Sequence, residues 1–331
     1  MLLPAPAAKR ICALAWFAPF AIVLGCASAA AAQTYPSRPL RIVLGFPAGG
    51  GVDLVARILA PKVAEGLGQP VIVDNRPGAS GLIGTDIAAK AAPDGHTLFL
   101  GTTGNLSINQ TLFAHLKPDI TRAFDPVTQM SSVPFLLYLH PALAPRTVSE
   151  FVALAKTRPG SLHYYSSGNG GLPHLAGELF NSVAGVKTVH VPYKGAAPGL
   201  TDLIAGQVQF GFGAAAVGLA HVKAGRLRVL ATSGPKRLSF LPDVATMNEA
   251  LPGFEVVNWY GLVVPAGTSR PVIGRLHAEF TKAMKQPDLA EKLTAQGMEP
   301  VGSSPEAFGA FIKAESTKWA RVIKTANIRA D

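Results

Sequence analysis

Cysteine is nearly absent: the 331 residues contain Cys12 and Cys26 only, and both precede residue 33. A chain cut after residue 32 has no thiol, which excludes disulfides and thiol catalysis and leaves stability to the core. Past that point no apolar run approaches the roughly 20 residues that span a bilayer. The glycine turns spell neither GxxxxGK(S/T) nor GxGxxG, HExxH does not occur, and no GxSxG surrounds Ser166 or Ser167. The eight histidines form no ligand-spaced cluster, so neither a metal nor a cofactor is expected. There is no basic run, zinc pattern or helix-turn-helix signature, which argues against nucleic acid as a partner. A serine triad assembled from distant positions stays open, because triads are defined by geometry rather than by sequence order.

What is present begins with a leader. Lys9 and Arg10 precede an apolar run from Ile11 to Gly25, and a small-residue stretch extends from Ala27 to Ala32. This pattern is a secretory signal peptide over residues 1–32, with cleavage after Ala32 and Gln33 as the first mature residue. Lipidation at Cys26 is the rival reading, although Leu24 is large for its place in such a site. Either way the expected compartment is the periplasm. The remaining 299 residues (331 minus 32) exceed what one core usually holds, so two lobes are expected. Without Lys9 and Arg10 the balance is 28 basic to 20 acidic side chains, a net +8 (30 minus 2, less 20). A positive field favours anionic ligands, though exported proteins are often basic for solubility alone.

The order of elements points to an α/β fold. Leu40 to Phe46 reads as a buried strand, Pro47 to Gly51 as a turn, and the residues from Asp53 as a helix that Pro61 should kink. The unit recurs at Val71 to Lys90 and again at Thr97 to Gly104. A second series follows Pro141: Thr147 and Glu150 form a capping box, and strands are expected at Leu162 to Tyr165, Thr188 to Val191, Gln207 to Phe212 and Leu227 to Ala231. Alternation of this kind predicts parallel sheet with helices on both faces. Val133 to Leu139 and Val256 to Val264 sit where one series ends, which suits two crossings between lobes. The tail is a helix opened by Ser304 and Pro305, with Phe308, Phe311, Ile312, Trp319, Val322 and Ile323 on its packed face.

Ligands in such sheets sit beyond the carboxyl ends of the strands, where helix N-termini point. The turn Phe46, Pro47, Ala48, Gly49 and Gly50 therefore offers backbone N–H groups and a helix dipole to an anion. Similar turns follow two other strands, at Thr102, Thr103 and Asn105 and at Ser166, Ser167, Gly168 and Asn169. Tyr193, Lys194 and Gly195 place a phenol and an ammonium at a strand end; a lone lysine is also commonly just a solvated one. His174 either donates to a ligand or caps locally.

Six segments carry a resemblance: YPSRPLRIVLGFPAGGGVDLVAR (35–57), VIVDNRPGASGLIG (71–84), AAPDGHTLFLGT (91–102), GNGGLPHLAGELF (168–180), VHVPYKGAAPGLTDLIAGQVQ (189–209) and NWYGLVVPAGT (258–268). In this order they resemble the Bug, or TctC-like, family of solute receptors for tripartite tricarboxylate transporters. The resemblance implies a type II periplasmic-binding-protein fold, two βα lobes joined by a two-strand hinge. Residues 33–132 and 258–331 would form one lobe and residues 133–257 the other. It implies a small carboxylate as ligand, membrane transporter subunits as partners, a monomer and no catalysis. It also implies that Phe46 to Gly50, Thr102, Thr103 and Ser166 to Asn169 grip the carboxylate, with Tyr193, Lys194 and Gly195 near the cleft. One departure stands out: many relatives carry Asp-Asn where this chain has Gly213 and Ala214. That points to an organic acid without an amino group. A sensor for a membrane histidine kinase would have the same soluble chain, and an exported α/β hydrolase is the remaining alternative.

Overall fold

The computed structural model describes Met1 and residues 35–113 and 119–329, and the folded body begins at Pro36. The leader, its cleavage position and Cys26 lie outside the described residues. Among those residues no helix is long and apolar enough to cross a membrane.

The first series is β1 (Leu40–Leu44), α1 (Gly51–Leu67), β2 (Val71–Asn75), α2 (Leu82–Ala89) and β3 (Thr97–Thr102). A π-helical turn at Gly104–Ile108 leads to α3 (Asn109–Leu112), then α4 (Ile120–Ala123) and the long β4 (Phe124–Leu139). The second series is α5 (Val148–Thr157), β5 (His163–Ser166), α6 (Leu172–Ala184), β6 (Val189–Pro192), α7 (Ala196–Ile204), β7 (Phe210–Ala214), α8 (Ala215–Lys223) and β8 (Arg228–Thr232). The chain ends with α9 (Met247–Ala250), β9 (Val257–Pro265), α10 (Arg270–Met284), α11 (Pro287–Ala295), β10 (Glu299–Pro300) and α12 (Pro305–Thr325).

The strands run in the order β2-β1-β3-β9-β4-β7-β5-β6, with β8 and β10 also paired to β4. β1 is parallel to β2 and β3, and β5 is parallel to β6 and β7. The middle departs from the parallel sheet expected of the sequence, because β9 runs antiparallel to both β3 and β4. The reason is the return of the chain: β9 re-enters from the second series and must lie opposite the strand that left. Along β4, residues up to Pro134 pair with β9 and those from Phe135 pair with β7. One strand therefore belongs to both series. α1 runs on through Pro61 without a break.

Local chemistry starts and stops the helices. Thr147 accepts the Glu150 N–H at 3.2 Å, while Glu150 reaches back to the N–H of Arg146 rather than to Thr147. Ser304 caps α12 through the Ala307 N–H, and Pro305 takes the first helical position, where no N–H is needed. α1 ends at Gly68, whose left-handed φ of 69° returns its N–H to the Ala64 carbonyl.

Buried side chains on β4, β5 and β7 pack with α5 and α6, where the rings of Phe151 and Phe210 meet edge to face at 5.0 Å. Val43, Phe99, Trp259 and Val263 pack with Phe308 of α12 at the other end. Trp319, Val322 and Ile323, farther along α12, join the first group. This helix thus packs against both series. A buried carboxylate fixes it there: Glu315 Oε2 accepts the indole N–H of Trp259 at 3.1 Å and of Trp319 at 3.0 Å, and Oε1 pairs with Lys318. Ser233 joins the two crossing segments, accepting the Phe135 N–H on its hydroxyl at 2.9 Å and the Val256 N–H on its carbonyl, also at 2.9 Å.

Removing the Glu315 carboxylate leaves two buried indole donors without their acceptor and Lys318 with only the Glu255 carbonyl. Glu315→Ala should lower unfolding stability by about 3–5 kcal/mol in urea titration. A loss under about 1 kcal/mol would show that the indoles find other acceptors.

Candidate functional site

A cavity of about 830 Å³ opens at the carboxyl ends of β1, β3, β5 and β7, where the sheet geometry places ligands. Among the described residues its wall contains no Asp, Glu, His, Lys or Arg. The polar residues are Ser80, Thr102, Asn109, Ser167, Asn169, Asn258, Tyr165 and Tyr260. Phe46, Leu112, Phe113, Phe135, Phe212 and Val217 supply most of the apolar surface.

Four helices begin at this wall. Gly50 and Gly51 open α1, Gly171 and Leu172 open α6, Ala196 opens α7, and Ala214 lies just before α8. Their cap residues are Gly50, Gly171, Gly195 and Ala214, none of which has a side-chain oxygen, and none makes a side-chain cap. First-turn N–H groups have no partner within their own helix, so these ends present donors and partial positive charge to the cavity. Among helices that start elsewhere, α5, α9 and α12 are capped by Thr147, Thr246 and Ser304, whereas α10 and α11 have no side-chain cap.

Behind the wall, polar side chains hold the turns in shape. Asp53 accepts the Gly49 N–H at 2.9 Å and hydrogen bonds from Arg57 and Asn75. Burial pushes its carboxyl up, but those hydrogen bonds outweigh burial and hold it below its usual range. Asn105 accepts from the N–H and the hydroxyl of Thr102 and donates to the Ser80 carbonyl. Thr103 accepts the Trp259 N–H at 2.9 Å.

The turn after β5 rests on two stacked imidazoles. The rings of His174 and His190 are parallel at 3.6 Å between centroids. His174 Nδ1 accepts the Gly170 N–H at 3.1 Å, so this ring carries its proton on Nε2. The Ser166 hydroxyl donates to the Gly168 carbonyl, accepts the Gly168 N–H and lies 2.6 Å from His190 Nε2. Burial holds both rings below the ordinary imidazole range. The facing His174 adds to the effect on His190, which is held down to about 4, whereas Glu178 pulls His174 the other way.

The structure sorts the residues singled out in the sequence into two layers. Phe46, Pro47, Ala48, Gly50, Thr102, Ser167, Gly168, Asn169, Gly213 and Ala214 line the cavity. Gly49, Thr103, Asn105, Ser166 and His174 lie behind it in the bonds just described. Tyr193 donates to Asp202 at 2.7 Å, Lys194 is exposed, and Gly195 is the cap of α7; none of the three lines the cavity. Tyr165, Asn258, Tyr260, Asn109 and the apolar wall had no motif to mark them. Asn258 and Tyr260 do fall within the segment 258–268, so their membership in it was a usable signal.

Residues 55–328 match the family described as the tripartite tricarboxylate transporter family receptor. BugT of Bordetella pertussis is 34% identical over 92% of this chain and 94% of its own length. Among solved structures, an R. palustris protein with adipate is 34% identical at a TM-score of 0.74, covering 89% of this chain and 99% of that one. MatC from Rhodopseudomonas palustris with bound malate is 31% identical at a TM-score of 0.71, covering 87% and 100%. The periplasmic binding protein BugD is 31% identical at a TM-score of 0.72, covering 90% and 100%, and the fold is that of these proteins. With a match that runs from α1 to the end of α12 and relatives alike along nearly their whole lengths, the chain belongs to the tripartite tricarboxylate transporter receptor family.

Proposed function

We propose that this chain is an exported, monomeric receptor that captures a small organic acid without an amino group and delivers it to the membrane subunits of a tripartite tricarboxylate transporter. One observation carries the reading: a cavity with no charged side chain among the described residues of its wall, onto which four helices open without side-chain caps. A carboxylate there meets N–H donors and helix dipoles, which replace water without requiring a buried cation. An ammonium would meet the same positive ends and no acidic partner on the wall. Adipate and malate, seen in the two R. palustris proteins, are acids of this kind.

The proposed ligand contacts are the wall residues Phe46, Pro47, Ala48, Gly50, Thr102, Ser167, Gly168, Asn169, Gly213 and Ala214. The remaining turn residues act by positioning them. Residues 33–132 with 258–331 and residues 133–257 are the proposed lobes, which close on the ligand about β4 and the segment entering β9. Catalysis by Ser166 is disfavoured by its surroundings: the residue is fully buried and does not line the cavity.

In calorimetry, adipate should bind at least about tenfold more tightly than 2-aminoadipate, the difference expected for one unpaired buried charge. Equal or tighter binding of the amino acid would refute the amino-free class. An acid at 100 times its dissociation constant should raise unfolding stability by about 2.7 kcal/mol, readable as a thermal shift.

Affinity should be flat from pH 7 to 9, since among the described residues the wall has no group that titrates there; burial keeps Tyr165 and Tyr260 protonated. Acid acts through the imidazole pair. The unfolded chain protonates its histidines near 6.5, whereas folded His190 resists to about 4. Stability is therefore complete above 6.5 and falls as pH drops from 6.5 towards 4. A double His174→Gln, His190→Gln variant should flatten that part of the stability profile measured by urea unfolding. An unchanged profile would assign the acid sensitivity elsewhere.

A further inference from the structure

The Tyr165 hydroxyl has no function in the packing of the protein. The residue is 1% exposed, and its oxygen is buried with no hydrogen-bond partner. The other phenols beside the cavity or in the adjoining core differ. Tyr138 donates to the Ala214 carbonyl, Tyr164 to Glu178 and Tyr193 to Asp202, while Tyr260 accepts from Asn258. A phenylalanine would satisfy the apolar surroundings of position 165 without stranding a polar atom.

Three glycines make room for this side chain. A Cβ on Gly199 would stand 2.5 Å from Tyr165 Cδ2, one on Gly211 2.2 Å from Cδ1, and one on Gly213 2.9 Å from the hydroxyl oxygen. The first two admit the ring, and the third keeps any side chain of residue 213 off the buried hydroxyl. Gly213 also lines the cavity, as do Tyr165 itself and Ala214, the residue before α8. The absence of side chain at Gly213 thus brings an unpaired phenol and the start of a helix to one corner of the ligand space.

We propose that the Tyr165 hydroxyl is a specificity-determining ligand contact: it donates to an oxygen of the bound acid at the β7–α8 corner and selects acids that carry an oxygen remote from their first carboxylate. The inference rests on the carboxylate reading above and adds the class, namely acids with oxygen at both ends of an apolar body. Burial keeps the phenol protonated, so it acts as a donor to a carboxylate, hydroxyl or carbonyl oxygen. Phe135, Phe212 and Val217 line the same cavity and suit the apolar middle of such a molecule.

Tyr165→Phe removes one oxygen and no bond within the protein. Binding to wild type and variant is measured by calorimetry with two matched series: adipate, 6-hydroxyhexanoate and hexanoate, and terephthalate, 4-hydroxybenzoate and benzoate. In a series that binds, the two compounds with a remote oxygen should weaken about three- to tenfold in Tyr165→Phe, the value of one hydrogen bond, while the compound without it changes less than about twofold. The ligand-free variant should melt at the same temperature as wild type or higher, which separates lost recognition from lost folding. Gly213→Ala, which crowds the hydroxyl, should weaken the same compounds. If acids bind and Tyr165→Phe leaves all within about twofold, or weakens all of them alike, the role assigned to Tyr165 is overturned. If wild type binds no member of either series, the carboxylate reading fails and this inference with it.

Discussion

The ligand space is built on an electrostatic constraint: among the described residues its wall has no charged side chain, so the partial positive charge offered there is that of helix N-termini. α1, α6, α7 and α8 each start on a cap residue that has no side-chain oxygen, so the protein itself does not consume the N–H groups of the first turns. Such donors are fixed in place by the helices they belong to and lose no rotamer freedom on binding. A lysine or arginine in the same cavity would have brought a stronger charge at the cost of desolvation and side-chain entropy. Fixed dipoles give a weaker but better placed field, and the apolar wall raises their effect by excluding water.

Charged and strongly polar side chains are present, one layer back. Asp53 with Arg57 and Asn75 braces the turn before α1, Asn105 braces the turn after β3, and the Ser166, His190 and His174 chain braces the turn after β5. Each group is satisfied within the protein, so the turns keep their shape before a ligand arrives, and ordering them is not charged against affinity. Burial first, and for His190 the facing His174, explains why the imidazoles resist protonation. An extra proton on His174 Nδ1 would point at the Gly170 N–H that it now accepts.

Much of this was legible in the sequence, and the rest was hidden for physical reasons. The two βα series, the caps Thr147 and Ser304 and the glycine turns are local, and their chemistry lies within a few residues. The antiparallel pairing of β4 with β9 joins Phe124 to Pro265, and no local pattern states the direction in which a returning strand enters a sheet. Among the candidate site residues, a glycine turn tells where a wall is but not which polar neighbour faces it. Thr102 lines the cavity while Thr103, one residue on, points back to the backbone of β9. Tyr165 was invisible as a site residue because a buried tyrosine is ordinarily core, and only the lack of a partner for its hydroxyl distinguishes it. Gly211 and Gly213, two apart on β7, do leave a trace, since alternate glycines on a strand mark something large on that face.

The connections across the molecule also locate where the proposed closure must bend. β4 exchanges partners between Pro134, the last residue paired with β9, and Phe135, the first paired with β7. Ser233 bonds to both crossing segments there, at Phe135 and at Val256. α12 is pinned to β9 by Glu315 and Trp259 and moves with it, yet its Trp319, Val322 and Ile323 pack among the side chains of β4, β5 and β7. A large rotation would strip that packing from α12, whereas a small one about Pro134 and Val256 needs only a sliding of apolar side chains past one another. The proposed closure would therefore be restrained by α12, which packs against both series.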